Sequence, residues 1–291
     1  MNQQSELVSE IVLTFSCDDK PGIVAAVANL FALQGFNIRE SSQFEDVHSK
    51  RFFMRTVFET AEGSKPIEDI KSAFRAVAER YSMEWSLCDL HRRIKVVIAV
   101  SKWGHCLNNL LNSWKRGSLA VDIVGVVSNH EDMRELVEWY GVPYYFLPVG
   151  PDNKSEQEAQ ILELIDSVSA DLLVLARYMQ ILSPKMTGAL QGRAINIHHS
   201  FLPGFKGAKP YHQAYARGVK LIGATAHFVT EDLDEGPIIE QDVERVSHVN
   251  QPEELVEIGR DIESRVLGRA VRWFAQQRIL PNGNKTVVFS R

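Results

Sequence analysis

DLLVLA at residues 171–176 and RAINIH at residues 193–198 decide the fold of this chain. Both are short apolar runs rich in Leu, Ile and Val, which is the composition of strands buried on both faces of a sheet. Residues 184–191 between them have the apolar spacing of a helix. A helix between two buried strands indicates a parallel α/β sheet.

The alternation continues on both sides of this unit. Upstream, three further strands are expected at IKVVIAV (94–100), VDIVGVV (121–127) and YYFLP (144–148), with helices near residues 103–115, 132–140 and 154–168. Downstream, ATAHFV and PIIEQDVERV favour two more strands, and residues 252–278 favour a long helix. The fold class is therefore α/β, with a C-terminal doubly wound, mostly parallel sheet.

The first 90 residues follow a different pattern. Strands are predicted at residues 10–17, 36–47, 51–59 and 83–89, with helices at about 22–34 and 66–80. The order βαββαβ is typical of a ferredoxin-like domain, in which an antiparallel sheet carries both helices on one face. In the strands at 36–47 and 51–59, apolar and polar residues alternate, which is typical of strands with one buried face. We place the boundary in the polar stretch at Leu90, which gives domains 1–90 and 91–291.

Composition excludes several classes of partner. The 32 Lys and Arg against 37 Asp and Glu give a net charge of −5, so no positive field attracts nucleic acid or anionic lipid. The apolar runs are far shorter than the roughly 18 residues of a membrane span. The N-terminus has no secretory signal pattern, and the three cysteines form no CxxC pair, which leads us to expect a cytoplasmic protein without disulfides.

The densest group of polar residues in an unusual context is INIHHSFLPGFKGAKPY, residues 195–211. On the predicted strand, Asn196 and His198 point to the same side, whereas His199 points to the other. An amide beside an imidazole suits an oxygen that gains negative charge in a tetrahedral intermediate. The same pattern also fits strand-end residues that are satisfied by backbone hydrogen bonds.

A second group, residues 231–237 (EDLDEGP), is an acidic turn between two strands. It fits a solvated hairpin, or a loop that turns one carboxylate inward against His198, and the pattern alone does not say which carboxylate. His212 and His227 lack a local metal-ligand spacing, so we expect no metal site.

Taken together, INIHHSFLPGFKG and HFVTEDLDEGPII resemble the folate-dependent formyltransferase family over residues 94–280. The resemblance implies that Asn196, His198 and Asp234 form the catalytic set. The segment LARYMQILS (175–183) is similar to the family's folate wall. This similarity assigns Arg177, Met179, Ile181 and Glu231 to substrate binding.

One departure concerns the loop after the first strand of the domain. Family members that use a phosphorylated acceptor hold its phosphate in a Gly-rich loop at this place. The loop here reads SKWGHCLNNLL, in which bulky Trp103 and His105 flank Gly104. A phosphorylated acceptor is therefore disfavoured.

The N-terminal segment LTFSCDDKPGIVAAVANLFALQGFNI resembles an ACT domain, a module that binds amino acids where two copies meet. The resemblance implies an effector such as glycine or methionine, a site at Asp19, Gly22 and Ile23, and a homo-oligomer. Gly22 also fits a plain strand-to-helix turn.

An ACT domain joined to a formyltransferase-like domain resembles the formyltetrahydrofolate deformylases of one-carbon metabolism and purine biosynthesis. The resemblance implies hydrolysis of 10-formyltetrahydrofolate without a cofactor, with Asp234 as base or orienting group. Two alternatives are a formyltransferase that uses an amine acceptor and an inactive amino-acid-sensing protein.

Overall fold

The structure, a computed structural model, describes residues 10–60, 66–204 and 210–290. The chain divides into two compact units. Among the described residues, one unit holds those up to Arg93 with 276–282 and 287–290, and the other holds 94–275 with 283–286. The predicted boundary after residue 90 lies three residues before this division. The segment after Ala275, which the sequence analysis assigned to the second domain, groups mostly with the N-terminal unit.

The N-terminal unit is ferredoxin-like, as predicted. Its elements are β1 (Glu10–Asp18), α1 (Ile23–Gln34), β2 (Asn37–Asp46), β3 (Arg51–Glu59), α2 (Ile67–Tyr81) and β4 (Glu84–Asp89). The sheet is antiparallel with the order β2-β3-β1-β4. Alternate β1 residues such as Leu13 and Phe15 pack with Val27 and Phe31 of α1 and with Phe74 of α2 in one core. Both helices therefore cover the same face of the sheet.

The C-terminal unit is built on a seven-stranded sheet. Its strands are β5 (Ile94–Val100), β6 (Val121–Ser128), β7 (Tyr144–Phe146), β8 (Leu172–Leu175), β9 (Ala194–His198), β10 (Leu221–Phe228) and β11 (Ile238–Arg245). Its helices are α3 (His105–Lys115), α4 (Arg134–Trp139), α5 (Lys154–Ser167), α6 (Pro184–Ala189), α7 (Pro210–Ala216) and α8 (Pro252–Ala275). The sheet order is β11-β10-β9-β8-β5-β6-β7, parallel from β9 to β7 and antiparallel at β10 and β11.

The strand order reverses between β5 and β8. The chain runs outward from β5 through β6 to β7 and then returns to β8 on the other side of β5. The carboxyl ends of β5 and β8 lie side by side, with Ala99 opposite Leu175. A ligand crevice is expected at such a reversal, because the connections leave the two strand ends in opposite directions.

The chain ends in a hairpin that the sequence analysis did not predict. Helix α8 stops at Ala275 rather than 278, since Gln277 takes a left-handed conformation with φ 54°, and the strands β12 (Ile279–Asn282) and β13 (Lys285–Val288) follow. The carbonyl oxygen of Gln276 accepts hydrogen bonds from Nε and Nη2 of Arg55 at 3.2 and 3.0 Å. Strand β3 is buried on both faces rather than half-buried as predicted, and this segment provides part of the cover.

Within the described ranges, no helix combines the length and the apolar composition that a membrane crossing requires.

Candidate active site

A cavity of about 620 Å³ opens at the carboxyl ends of the parallel strands in the C-terminal unit. Its walls come from the segment after β8, from the end of β9, from the acidic loop after β10, and from α8. This is the crevice that the reversal of strand order creates. The two polar groups that the sequence analysis selected both line it.

The structure brings Asn196, His198 and Asp234 together in this cavity. Asn196 and His198 are two residues apart on β9, so their side chains share one side of the sheet. Nδ1 of His198 lies 3.3 Å from Oδ2 of Asp234. The carboxylate that turns inward is therefore Asp234, the choice that the acidic pattern left open.

His198 keeps one ring nitrogen available for a ligand. Its side chain is 5% exposed, and the buried Nε2 has no hydrogen-bond partner among the described residues. A buried polar atom without a partner is costly, and native proteins keep such atoms mostly where a ligand or water completes the bond. Nε2 of His198 is thus the atom that a bound substrate or water is expected to meet.

His227 completes the polar group, and the sequence analysis did not assign it a role. It lies on β10 directly opposite Asn196. Its Nδ1 donates to the carbonyl oxygen of Phe228 at 2.8 Å, which leaves Nε2 as the acceptor for Nδ2 of Asn196 at 3.2 Å. Nε2 also lies 3.7 Å from Oδ1 of Asp234. The contact fixes the orientation of the Asn196 amide and leaves its second N–H for a ligand.

The backbone of the acidic loop is constrained at two positions. Asp234 adopts φ 59°, a left-handed conformation that is uncommon outside glycine. Gly236 has no room for a side chain, because an added Cβ would overlap the carbonyl oxygen of Phe228. The loop is closed there by a hydrogen bond from Phe228 N to the Pro237 carbonyl oxygen at 3.0 Å. Gly236 therefore permits the close approach that places Asp234.

Charge in the site is set by burial and by the histidines. Burial raises the pKa of Asp234, but the hydrogen bond from His198 and the two adjacent histidine rings outweigh burial and hold the pKa well below its usual range. Asp234 is consequently an ionised carboxylate at neutral pH. Burial, followed by the positive charges of Arg177 and His198, lowers the pKa of His199 to about 4, so its ring is neutral.

The four residues assigned to the folate wall all line the cavity. Met179 and Ile181 are 53% and 60% exposed, and with Leu233 they present an apolar surface to a planar ligand. Glu231 is exposed at the rim. Arg177 is placed differently, because its guanidinium turns away to the buried Glu263, with Nε 3.5 Å from Oε2.

Glu263 forms the centre of a second cluster that sequence reasoning missed. Its side chain is 1% exposed and accepts hydrogen bonds from Nε2 of His105 and Oη of Tyr211, both at 2.7 Å. Burial opposes its charge, but His105, Arg177 and Tyr211 lower its pKa below the ordinary value. An acidic residue on the apolar face of the long C-terminal helix was the signal available in the sequence.

His105, Cys106 and Glu263 are the one group among the described residues whose ligand atoms lie close enough for a metal ion, within 4.8 Å. The environment suits a cation poorly. Arg177 already lies against the carboxylate, and burial raises the pKa of the Cys106 thiol well above its usual range. The cluster therefore resembles a closed hydrogen-bonded group more than a metal site.

The residues assigned to an effector lie at the start of α1. Gly22 has φ 91° and an exposed backbone, which fits the plain turn interpretation as well as a ligand role. Asp19 is exposed, whereas the side chain of Ile23 is 2% exposed and belongs to the core. Only the backbone of Ile23 is therefore placed to meet a ligand.

Comparison with known protein families gives a separate match for each of the two units. Residues 94–271 match the formyl transferase family, and residues 11–79 match the ACT domain. A formyltetrahydrofolate deformylase from Bacillus subtilis is 49% identical over 279 residues, which cover 96% of this chain and 93% of that protein.

Comparison with solved structures finds the same family. A formyltetrahydrofolate deformylase from Burkholderia mallei matches with a TM-score of 0.92 and 52% identity, covering 97% of this chain and 99% of the other. Glycinamide ribonucleotide transformylase 1 from Symbiobacterium toebii has a TM-score of 0.64 and 30% identity, covering 68% of this chain and 94% of its own. Because both units match, and the deformylases match over nearly their full length, the chain belongs to the formyltetrahydrofolate deformylase family.

Proposed function

We propose that the protein hydrolyses 10-formyltetrahydrofolate to formate and tetrahydrofolate. The observation that carries the proposal is the buried Nε2 of His198, which has no partner among the described residues and stands in a cavity beside the Asn196 amide and the Asp234 carboxylate. An oxyanion that forms on the formyl group needs N–H donors, which the Asn196 amide and the protonated ring of His198 supply. Water is the acceptor of the formyl group.

The reaction proceeds by addition and elimination. Water attacks the formyl carbon, a C–O bond forms, and the carbonyl electrons move to oxygen. Nδ2 of Asn196 and Nε2–H of the protonated His198 ring, which lies against the Asp234 carboxylate, donate hydrogen bonds to the oxyanion. When it collapses, the C–N10 bond breaks, one proton from water is delivered to N10, and formic acid and the free amine result.

Asp234 acts here mainly as an orienting group. Its lowered pKa makes it a weak proton acceptor, since a general base works best when its pKa is near the ambient pH. It accepts a hydrogen bond from Nδ1–H of His198, which directs Nε2 to the cavity. His227 holds Asn196 in the matching position.

The apolar side chains of Met179, Ile181 and Leu233 provide the contact surface for the pterin ring, with Glu231 at the rim. Arg177 contributes through its backbone, since its guanidinium is held by Glu263.

The decisive experiment supplies 10-formyltetrahydrofolate without any acceptor and measures both products by chromatography. Equal release of formate and tetrahydrofolate is expected. Release that requires an added amine would favour the transferase alternative, and binding of an amino acid without turnover would favour the inactive sensing protein.

The proposed chemistry needs no cofactor and no metal, because the donors and the carboxylate are supplied by side chains. Activity should therefore survive exhaustive dialysis against a chelator. Loss of activity that zinc or another divalent ion restores would contradict this part of the proposal.

For the N-terminal unit we propose binding of a small amino acid, glycine or methionine, near Asp19 and Gly22, in an assembly of two or more copies. The support is the ACT match and the open backbone amides at the start of α1. Titration of each amino acid against formate release, with Gly22→Leu as the comparison, tests it. We also propose a cytoplasmic location, which suits three unpaired cysteines.

A further inference from the structure

Part of the cavity wall is occupied by side chains that the proposed chemistry does not use. These are Trp103 and His105 after β5, Tyr211 on α7, and Arg260 and Glu263 on α8. Because the matched transformylase shares the fold of the C-terminal unit, the fold alone does not dictate which molecule receives the formyl group. The difference has to lie in side chains of the cavity.

The centre of this wall is the buried carboxylate of Glu263, which already has a hydrogen-bond partner on each oxygen. Oε1 of Glu263 accepts from Tyr211, and Oε2 accepts from His105 and lies 3.5 Å from Nε of Arg177. A buried ionised carboxylate is the group that would hold the N–H of an amine acceptor. At 1% exposure and with a hydrogen-bond partner on each oxygen, Glu263 is not free to receive an amine.

The outer part of the wall is closed by an aromatic ring. The guanidinium of Arg260 stacks 4.8 Å from the centroid of the Trp103 indole, and both side chains line the cavity. Trp103 lies in the loop after β5 and is 49% exposed, so it is not part of the core. A second substrate that entered beside this loop would have to displace the ring.

This wall is adjacent to the reacting groups. The ring of His199 lies 5.1 Å from that of His198 and 6.4 Å from that of Tyr211. His199 therefore links the Glu263 cluster to the nitrogen that faces the substrate. A molecule that approached His198 from this side would occupy the space that the cluster fills.

We infer that His105, Tyr211 and Glu263, with Trp103 outside them, are specificity residues that fill the space of an amine acceptor and so restrict the acceptor to water. The inference rests on the proposed hydrolysis. Water needs no preformed pocket, whereas an amine R–NH₂ must be held against the formyl carbon to give R–NH–CHO and tetrahydrofolate. Filling the space therefore removes transfer and leaves hydrolysis.

The test uses the full-length protein, 10-formyltetrahydrofolate, and glycinamide as the amine probe. Tetrahydrofolate, formate and N-formylglycinamide are each quantified over a series of glycinamide concentrations. His105→Ala opens the space, and His105→Gln is the matched control that keeps a donor for Glu263. For His105→Ala we expect N-formylglycinamide at least about tenfold above the level in a reaction without protein, the size of effect that one pocket contact gives.

The control should keep the wild-type ratio, in which formate equals tetrahydrofolate at every glycinamide concentration. Formate that still equals tetrahydrofolate in His105→Ala would overturn the inference, as would formyl transfer by the wild type. If His105→Ala does not fold, Trp103→Ala decides, since its exposed side chain can be removed without opening the core. Absence of tetrahydrofolate release from the wild type would instead overturn the proposed function, and the inference with it.

Discussion

Asp234 combines a left-handed backbone, a half-buried carboxylate and contacts to two histidines. Such a conformation costs on the order of 1–3 kcal/mol and persists only where surrounding contacts enforce it. Its place beside the unpartnered Nε2 of His198 gives the strain a functional reason, because the loop has to present a carboxylate at that nitrogen.

We predict that Asp234→Asn lowers turnover by roughly 10²–10⁴ while the fold and folate binding persist, because a neutral amide no longer stabilises the positive ring of His198. Steady-state kinetics and a folate-binding titration measure the two effects. Asp232→Asn, on an exposed residue of the same loop, is the control and should retain activity. Turnover near that of the wild type in the Asp234 variant would remove Asp234 from the mechanism.

His199 predicts a pH dependence of stability. Its pKa is about 4 in the folded protein, against 6.5 ordinarily. Between these values the unfolded chain binds the proton and the folded chain does not. The free energy of unfolding should therefore fall as the pH drops from 6.5 to 4, by about 3 kcal/mol in total from this residue.

Urea denaturation at several pH values, read on the transition of the C-terminal unit, checks this expectation. His199→Gln should flatten the fall between pH 6.5 and 4, whereas His248→Gln, at an exposed histidine of the same unit, should not. Equal slopes for the wild type and His199→Gln would show that this ring does not carry the effect.

Among the secondary-structure elements, two neighbouring strands and one loop supply the side chains of the site. Strand β9 supplies Asn196 and His198 from one face, and β10 supplies His227 because antiparallel pairing sets it opposite Asn196. The acidic loop between β10 and β11 then returns over both strands, and Gly236 lets it pass close to the Phe228 carbonyl. The geometry of the candidate site is thus a property of the strand pairing and of this one loop.

Gly236→Ala should disturb the loop. The added Cβ overlaps backbone, which cannot give way as a flexible side chain does. We expect a stability loss of about 1–3 kcal/mol from overpacking and a loss of turnover of about 10²-fold from displacement of Asp234. Thermal unfolding and kinetics measure these two quantities.

Gly188→Ala is the matched control, because Gly188 lies in α6 with open space around it and alanine favours helix there. It should be neutral or slightly stabilising. Wild-type kinetics and stability for Gly236→Ala would mean that the loop accommodates the side chain and does not require glycine.

At the scale of the whole molecule, the end of the chain returns to the N-terminal unit. Arg278 bonds Glu40 through both terminal nitrogens, at 3.0 and 3.2 Å, and Nδ2 of Asn282 donates to Asp46 at 2.7 Å. Arg55, with a side chain only 2% exposed, depends on the same Glu40 at 2.9 Å. One carboxylate thus serves two guanidinium groups, one of them buried.

We predict that Glu40→Gln destabilises the N-terminal unit by about 1–3 kcal/mol, because the buried Arg55 loses its countercharge. The loss of stability is smaller than for a fully buried pair because Glu40 is partly exposed. The transition of that unit in thermal unfolding should shift to lower temperature. Glu45→Gln, at an exposed position of the same strand, is the control. An unshifted transition would show that the tail is held without this pair.

The order of the elements and the two strand residues of the candidate site, Asn196 and His198, could be predicted from the sequence. Apolar runs such as IKVVIAV and the helical spacing around them are local signals, because burial on two faces or on one stripe is visible in the residues themselves. Asn196 and His198 are two residues apart on one strand, so their common direction also follows from the sequence. Both units were predicted with the correct class of sheet, and the family comparison supports the predicted relationship.

Contacts between distant segments became visible only in the folded chain. His227 meets Asn196 through the register of β10 on β9, and Glu263 meets His105 across 158 positions of chain. Residues 276–282 group with the N-terminal unit because the buried Arg55 and the carboxylate of Glu40 bond Gln276 and Arg278, which no pattern near residue 276 reveals. Local sequence encodes which face of a helix or strand is apolar. Which polar groups form hydrogen bonds with one another depends on how the elements pack, and that packing is fixed only in the folded chain.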